Sequence, residues 1–395
     1  MSSSRVPDKT VSAPRRDDRL DFLRGLALLI IFIDHVPKNV FQPFTLHAFA
    51  FSDAAEMFFF ISGYVAALVY GRAMLRQGFV AAARRVWRRA GVVYGAQMLL
   101  LVAVLALVRV FVFATGDQNF LYIFRVGYVF SAPLAYVVPA LTMHFQPGYL
   151  DILPSYVLLL AFFPLALAGL KRNVWLVLVP SFALWLAVQV GGLTLWTTQG
   201  ERWFFDPFAW QLLFVIGAVF GHPSLKGRMQ FLDSPWLFWT AAAFTAAVAV
   251  VQLSVVLHDL VPAVPRLRPE GLPLDKPTLE PLRILSLCAL ALVADRCLPA
   301  IGTLSRSRLA MLVIRCGRFS LQVFSFGVLL SSLTAVTWVL FGDNYLLQSL
   351  ACVAGVGAQF AFAAFLEWAR DNGGWLTVPL RALVSVPIAE RERRD

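Results

Sequence analysis

The sequence predicts an all-α membrane protein, a polytopic bundle of about ten transmembrane helices with both termini in the cytoplasm. Of its 395 residues, 59% are hydrophobic and only 14% are charged. Apolar stretches of about 20 residues recur along the chain, and each is long enough to cross a hydrocarbon core of about 30 Å. A water-soluble domain of this size would carry nearly twice that fraction of charged residues.

A scan with a window of about 19 residues locates ten apolar segments. They lie at residues 20–36, 48–71, 91–115, 148–170, 173–190, 207–221, 236–257, 281–300, 319–341 and 347–369. Residues 1–19 are polar and basic, so we expect no cleavable signal peptide and a retained first span. The expected organisation is a cytoplasmic basic tail (1–19), one membrane domain (20–369) and a cytoplasmic tail (370–395).

Arginine and lysine residues predict the orientation, because cytoplasmic loops retain positive charge. They concentrate in segments that share one side if both termini are cytoplasmic, namely 15–19, 72–89, 171–172, 226–228, 306–318 and 370 onward. The connection 258–280 breaks this pattern, since Arg266, Arg268 and Lys276 would lie outside. We attribute the net charge of +11 to this cytoplasmic excess, which anionic lipids attract, and expect no nucleic-acid partner.

Two connections on the outer side are distinctive. Segment 116–147 is long, apolar and aromatic. It is expected to form an interfacial or re-entrant helix over an external cavity, or else an eleventh span that would overturn the downstream topology. Segment 258–280 is rich in proline and charge, and its end resembles a rigid strap against the eighth span.

The first span contains an arginine and a histidine separated by ten residues, Arg24 and His35. Eleven steps of about 100° bring a helix back to within about 20° of its starting direction, with a rise of about 16 Å. Both side chains therefore share a face, near opposite leaflets. Ionisable groups inside a span are costly and usually functional. The alternative is an arginine that snorkels and an interfacial histidine, but the adjacent Asp34 makes it less favoured.

An arginine, ten residues and a histidine in the first span resemble the signature of the acyltransferase-3 superfamily of integral membrane acyltransferases. The strings RLDFLRGLALLIIFIDHVPKNVF and FSDAAEMFFFISGYVAALVYGR resemble a narrower branch, the OpgC-type succinyltransferases of osmoregulated periplasmic glucans. Less specific similarity follows in FQPGYLDILPSYVLLL, DKPTLEPLRILSL and CGRFSLQVFSFGVLLS. The resemblance covers nearly the whole chain.

The catalytic candidates are one histidine and three carboxylates. His35 suits a general acid or base near neutral pH. In the acyltransferase-3 pattern an acidic residue precedes the Phe-Phe of an FF-x-x-SG string, and Glu56 holds that place. We expect Glu56 to orient His35, because Asp34 lies about 100° away on the helix. Asp53 shares a face with Glu56; its alternative role is to cap the N-terminus of a helix.

Donor binding is assigned to cations. Arg24 is expected to steady the thioester or the free carboxylate of a succinyl donor; the alternative is a structural ion pair with Asp21. The other donor candidates are Arg72, Arg84, Arg85, Arg88 and Arg89. Topology alone explains such clusters equally well or better. Acceptor binding is assigned to polar and aromatic residues of the outer side, which an interfacial aromatic belt also explains: Gln146, Asp151, Tyr156, Trp210 and Lys276.

The resemblance implies an O-acyltransferase of the bacterial inner membrane that moves a succinyl group from cytoplasmic succinyl-CoA to glucose hydroxyls of periplasmic glucans. Direct transfer and an acyl intermediate on His35 both remain open, and no metal is expected. The four cysteines lack metal-ligand spacing and are interpreted as small hydrophobic residues. The alternatives are a transporter or flippase with Arg24, His35 and Glu56 as a coupling relay, or the same fold acting on another acyl group or glycan.

Overall fold

The computed structural model describes residues 17–225, 227, 229–297 and 307–372, and these are mainly helical. The helices are α1 (Asp18–His35), α2 (Ala54–Thr115), α3 (Asn119–Ile123), α4 (Gly127–Ser131), α5 (Pro133–Leu141), α6 (Ile152–Arg172), α7 (Trp175–Gly191), α8 (Pro207–Gly221), α9 (Pro235–Leu260), α10 (Pro281–Cys297), α11 (Arg308–Arg318), α12 (Ser320–Phe341) and α13 (Tyr345–Asp371). The predicted tails lie almost wholly outside the described residues, as do the cations Lys226, Arg228 and Arg306.

Five of these helices are long and apolar enough to cross a membrane, namely α2, α6, α9, α12 and α13. Helices α7 and α8 are apolar but shorter. Each of the ten predicted spans overlaps a helix, and the second and third predicted spans both overlap α2. The all-α class is therefore confirmed for the described residues, whereas ten crossings and cytoplasmic termini stay predictions.

Helix α2 joins two predicted spans that we expected an arginine-rich loop to separate. Its 62 residues are interrupted at Gly78, where φ is 84° and ψ is 178°. Glycine adopts such a conformation without the steric cost of a Cβ atom. The flanking residues are rich in alanine and arginine, which are good helix formers, so the helix extends to the glycine from both sides. The expected loop is therefore largely helical.

Segment 116–147 forms three short helices, α3 to α5, of 5, 5 and 9 residues. The alternative prediction of an eleventh span at this position is wrong, because none of these helices is long enough to cross a membrane. Phe120 and Phe124 are fully buried, and the hydroxyl of Tyr94 donates to the carbonyl of Leu141 at 2.9 Å. The segment is therefore packed on the second half of α2.

Ion pairs connect the ends of the helices. At one end, Lys38, just after α1, lies 3.2 Å from Asp343, just after α12. We call this the His35 end. At the other, the Asp18 end, Arg318 contacts Asp18 at 2.9 Å and Glu367 at 3.1 Å. Helices α1 and α12 therefore run in the same direction, and α13 returns beside them.

Glycines allow helices to approach until their backbones touch. A Cβ atom at Gly25 of α1 would overlap the backbone carbonyl of Val313 in α11, and one at Gly317 would overlap the carbonyl of Asp21. Any larger residue at these positions would force the helices apart. Helices α2 and α8 are packed in the same way through Gly63, Gly217 and Gly221. These contacts fix α1 and the first half of α2, which carry most of the catalytic candidates.

The end of segment 258–280 is a strap, as the sequence suggested, but it is held mainly by α7 and α8. Trp185, Gln189 and Trp210 each donate a side-chain hydrogen bond to the backbone carbonyls of residues 277–279, at 2.7 to 3.2 Å. Three hydrogen bonds to consecutive carbonyls fix the backbone of the strap, and so they position the side chains on its other face.

The topology is testable with reporters. A reporter fused after Arg89 is expected in the cytoplasm and one fused at Gly116 in the periplasm, because arginine-rich segments are retained inside. Paired phosphatase and fluorescent-protein fusions measure the two locations, and a fusion at Gly342 should match the one at Gly116. The opposite result at Arg89 or Gly116 would overturn the predicted orientation.

Candidate active site

A cavity of about 550 Å³ opens at the His35 end. Its volume falls in the range of small-molecule sites, about 300 to 1,000 Å³. Helices α1, α2, α6 and α12 form its inner walls, and segments 116–147, 192–206 and 258–280 contribute to its outer part. Its polar side chains include Asp34, His35, His47, Asp53, Arg125, Gln146, Asp151, Glu201, Arg202 and Lys276. The structure thus brings together residues from distant parts of the sequence.

His35 presents one ring nitrogen to this cavity. Its Nδ1 lies 2.5 Å from the carbonyl oxygen of Ile31, one turn earlier in α1. A carbonyl oxygen only accepts hydrogen bonds, so Nδ1 carries a proton, and in the neutral imidazole the free lone pair is then on Nε2. The ring also meets Tyr149 edge to face, with centroids 5.3 Å apart. Tyr149 holds this position with φ 70°, a conformation that is uncommon outside glycine. The neutral form of His35 is therefore oriented with Nε2 as the nitrogen that can accept a proton.

Glu56 does not orient His35, and that prediction is wrong. Glu56 is fully buried, and its carboxylate accepts from the backbone N–H of Asp53 at 2.9 Å and from Arg283 at 2.5 Å. The carboxylate of Asp53 in turn accepts from the backbone N–H of Ala55 at 2.8 Å. The two acidic residues thus form a capping box at the start of α2. A catalytic role for either one stays a prediction.

Two cations complete a buried cluster of charges, defined as Asp53, Glu56, Lys276 and Arg283. The ammonium of Lys276 lies 2.6 Å from Asp53, and Arg283 lies 3.3 Å from the same carboxylate. Burial alone lowers the pKa of Lys276, but the carboxylates of Asp53 and Glu56 outweigh it and raise that pKa above its usual value. Lys276 is therefore a permanent cation in the cavity wall.

Arg283 was missed by sequence reasoning. It is the third residue of α10, and a charged residue at the start of an apolar span was the available signal. The sequence contained no indication that its partners are Asp53 and Glu56, because 227 residues separate Arg283 from Glu56. Its side chain is only 11% exposed, so Arg283 contributes to the packing of the bundle as well as to the neutralisation of the two carboxylates.

Other carboxylate and amide candidates lie around the cavity with separate partners. Asp34 accepts from the hydroxyl of Thr45 at 2.6 Å, beside His47. Asp151 is close enough to His35 for an electrostatic interaction. Gln146 donates to the carbonyl of Met143 at 3.1 Å and leaves its amide oxygen for a ligand. All three residues line the cavity. Acceptor binding by Gln146 and Asp151 stays a prediction.

Tyr156 and Trp210 do not line the cavity, and their placement contradicts an acceptor role. Trp210 is fully buried, packs on Phe59 with ring centroids 4.9 Å apart, and donates to the strap. Tyr156 packs edge to face on Phe58 and Phe214 inside the bundle. Aromatic residues of this kind look alike in sequence whether they bind a sugar or fill a core.

The donor candidates lie towards the Asp18 end. Arg24 donates to the hydroxyl of Ser320 and lies 3.6 Å from Asp21, which confirms the expected pairing. Tyr70 interacts electrostatically with both Arg24 and Arg89. Of the four clustered arginines, Arg85 and Arg89 are half-buried, whereas Arg84 and Arg88 are exposed, as is Arg72. The structure therefore favours Arg24, Arg85 and Arg89 as the inward-facing cations.

Apolar side chains separate the cavity from Arg24. Leu28 and Phe324 line the cavity on the side towards Arg24 and are only 2% and 6% exposed. Phe58 packs against Phe324, with ring centroids 6.2 Å apart. We call Leu28, Phe58 and Phe324 the floor of the cavity. Within the described ranges, no group of three or more His, Cys, Asp and Glu side chains is arranged to hold a metal ion.

These features define a polytopic helical membrane protein with a polar, enzyme-like cavity at one end of its bundle. A family model described as "OpgC protein" matches residues 16–371, which is most of the chain. The chain therefore belongs to the OpgC family. Neither the curated proteins nor the solved structures give a match.

The buried cluster predicts a large stability effect at Arg283. Arg283→Met should lower the free energy of unfolding by about 3 to 5 kcal/mol, because it leaves two buried carboxylates with too few cations. Arg283→Lys should cost less, since it keeps the charge. Thermal unfolding of the detergent-purified protein measures both. The matched control is Lys38→Met, which breaks an exposed ion pair and should lower the unfolding temperature far less than Arg283→Met does. Equal losses at Arg283 and Lys38 would contradict the proposed importance of the cluster.

Proposed function

We propose that this protein is an O-succinyltransferase of the bacterial inner membrane, with cytoplasmic succinyl-CoA as donor and a glucose hydroxyl of a periplasmic glucan as acceptor. Membership of the OpgC family supports this assignment. The observation that carries it is His35, whose Nδ1 is tied to the Ile31 carbonyl while its ring opens onto the cavity. A neutral imidazole with one available nitrogen suits the deprotonation of a hydroxyl group.

In the proposed reaction, Nε2 of His35 takes the proton of the glucose hydroxyl. The hydroxyl oxygen attacks the thioester carbon, a carbon–oxygen ester bond forms, and the carbon–sulfur bond breaks. The proton then passes from the imidazolium to the sulfur of coenzyme A, which leaves as a thiol. His35 ends the cycle neutral, so each transfer leaves the charge of the site unchanged. Asp151 is the carboxylate best placed to stabilise the transient imidazolium, because it interacts electrostatically with His35.

The donor side is assigned to the Asp18 end. The positive-inside distribution of arginines favours a cytoplasmic location for that end. Arg85 and Arg89 are half-buried on α2 and suit the phosphates of coenzyme A, because arginine matches phosphate oxygens with paired donors. The slender pantetheine arm would then pass Arg24 and displace the floor to bring its thioester to His35. Ser320, Phe324 and Gly327 line this route on α12, at helical spacing.

The acceptor side is assigned to the open part of the cavity. Sugar hydroxyls need both donors and acceptors, and the polar residues here supply both. Arg125 lines the cavity together with Gln146 and Asp151, and the sequence had not indicated it as a site residue. Its guanidinium contacts Glu201 at 2.5 Å. Arg125 lies in segment 116–147, so the roof of the cavity contributes to the proposed acceptor site.

His35→Ala should reduce succinyl transfer by at least about 10²- to 10⁴-fold, because it removes the general base. Binding of succinyl-CoA to the purified variant should stay close to wild type, since the donor contacts lie towards the Asp18 end. Mass spectrometry of periplasmic glucans measures transfer, and titration with succinyl-CoA measures binding. His258→Ala is the matched control, because His258 is a histidine outside the cavity. Full succinylation by His35→Ala would overturn the proposal.

Arg24→Lys should raise the apparent KM for succinyl-CoA more than it lowers kcat. Lysine keeps the positive charge, but it loses the planar fork that lets arginine contact two acceptors together. Initial rates over a range of donor concentrations separate the two parameters. Arg172→Lys makes the same change at an exposed arginine that is not a donor candidate and should leave both parameters close to wild type. An unchanged KM in Arg24→Lys would move donor recognition away from α1.

A further inference from the structure

We propose that Lys276 binds the free carboxylate of the succinyl group at the moment of transfer, and so selects a succinyl donor over donors with uncharged acyl groups. This inference rests on the proposed function and deepens it. It changes the role expected of Lys276 from the sequence, which was acceptor binding. It also moves recognition of the succinyl carboxylate from Arg24 to the opposite side of the floor.

The position of Lys276 supports this role. Its ammonium lies in the wall of the cavity that contains His35, and the two residues interact electrostatically. In a succinyl group only two methylene units separate the acyl carbon from the free carboxylate. When the acyl carbon is within reach of His35, the carboxylate must therefore lie in the same cavity. Arg24 is separated from that cavity by Leu28 and Phe324.

Lys276 also has hydrogen-bonding capacity left for a ligand. An ammonium group has three N–H donors. Among the described residues, the ammonium of Lys276 has a polar contact with the carboxylate of Asp53 at 2.6 Å. The rings of Phe204 and Phe205 lie 5.5 and 5.6 Å from its nitrogen. An aromatic face attracts a cation but leaves its N–H groups unsatisfied by oxygen. A carboxylate in the cavity would supply that oxygen.

The charged cluster permits Lys276 to turn towards a ligand. Asp53 is contacted by Arg283 as well as by Lys276, so it keeps a cationic partner when Lys276 moves. The guanidinium of Arg283 is in turn fixed by Glu56, which holds it at the base of the cluster. Lysine is suited to such an exchange, because it is a compact charge on a flexible stem.

The other cations of the cavity are less suitable. Arg125 contacts Glu201 at 2.5 Å and is exposed at the outer rim. Arg202 is placed over the ring of Trp196, 5.9 Å from its centroid. Both belong to the open side of the cavity, where water screens charge most strongly. Lys276 is only 27% exposed, so its charge discriminates more strongly between a carboxylate and a neutral group.

The test compares two donors of nearly the same shape, one with a charged and one with an uncharged end group. One is succinyl-CoA, and the other is its neutral isostere in which a primary amide replaces the free carboxylate. Purified protein in detergent receives both donors with the glucan acceptor, and mass spectrometry gives the ratio of the two products. Wild type should favour the charged donor. Lys276→Gln should lower that preference about 10- to 100-fold, the range expected for a hydrogen bond to a charged group.

Two further variants make the result specific. Lys276→Arg keeps the cation and should retain most of the preference. Lys38→Gln removes a lysine at the same end of the bundle, where it is exposed and paired with Asp343, and should leave the ratio unchanged. Together they separate the charge of Lys276 from the general charge of this face and from the folding of the strap.

The outcomes are distinguishable. If Lys276→Gln loses both donors in equal proportion, or raises the KM for glucan at a constant donor ratio, the inference is wrong and the proposed function stands. If wild type transfers neither donor and equals His35→Ala, the proposed function fails and the inference fails with it. A fall in the donor ratio that Lys276→Arg restores supports the inference.

Discussion

The start of α2 depends on one electrostatic constraint: the carboxylates of Asp53 and Glu56 are buried there and must be paired with cations. A buried charge is tolerated only when it is paired and hydrogen-bonded. Here the partners are Arg283 at the start of α10 and Lys276 in the strap, which come more than 200 residues later. This cluster therefore joins the first part of the membrane domain to the later part. Two of its members, Asp53 and Lys276, also line the cavity, so the stability of the bundle and the geometry of the site depend on the same cluster.

The position of His35 depends on contacts of α1 alone, without the charged cluster. Its hydrogen bond to the carbonyl of Ile31 lies within α1, so the orientation of the ring follows the position of that helix. The position of α1 in turn follows from its glycine-mediated contact with α11. A local hydrogen bond and a close helix contact thus place the imidazole. Tyr149 completes the arrangement from the opposite side.

The helices were predictable because the length of an apolar segment is a local property of the sequence, and all ten predicted segments overlap helices. The capping role of Asp53 was predictable for the same reason. The partner of Glu56 was not, because it depends on a contact between distant segments. Helix α2 shows a second limit, since charge patterning predicted the arginine-rich connection but gave no information about its helical backbone. Tyr156 and Trp210 show a third limit, because the same aromatic residue types occur in a hydrophobic core and in a sugar-binding site.

The floor of the cavity is consistent with a reaction whose substrates come from opposite sides of a membrane. Leu28 and Phe324 are buried, line the cavity and lie one helical turn beyond Arg24 and its partner Ser320, and Phe58 packs on Phe324. A permanently open polar route there would let water and ions cross and would expose the thioester to hydrolysis. In the proposed function, donor binding at the Asp18 end supplies the free energy that opens the floor. Lys276 lies on the cavity side of the floor. In the proposed function the succinyl carboxylate therefore reaches Lys276 only after it has passed the floor. Donor recognition and acyl-group selection thereby take place at two different sites along one route.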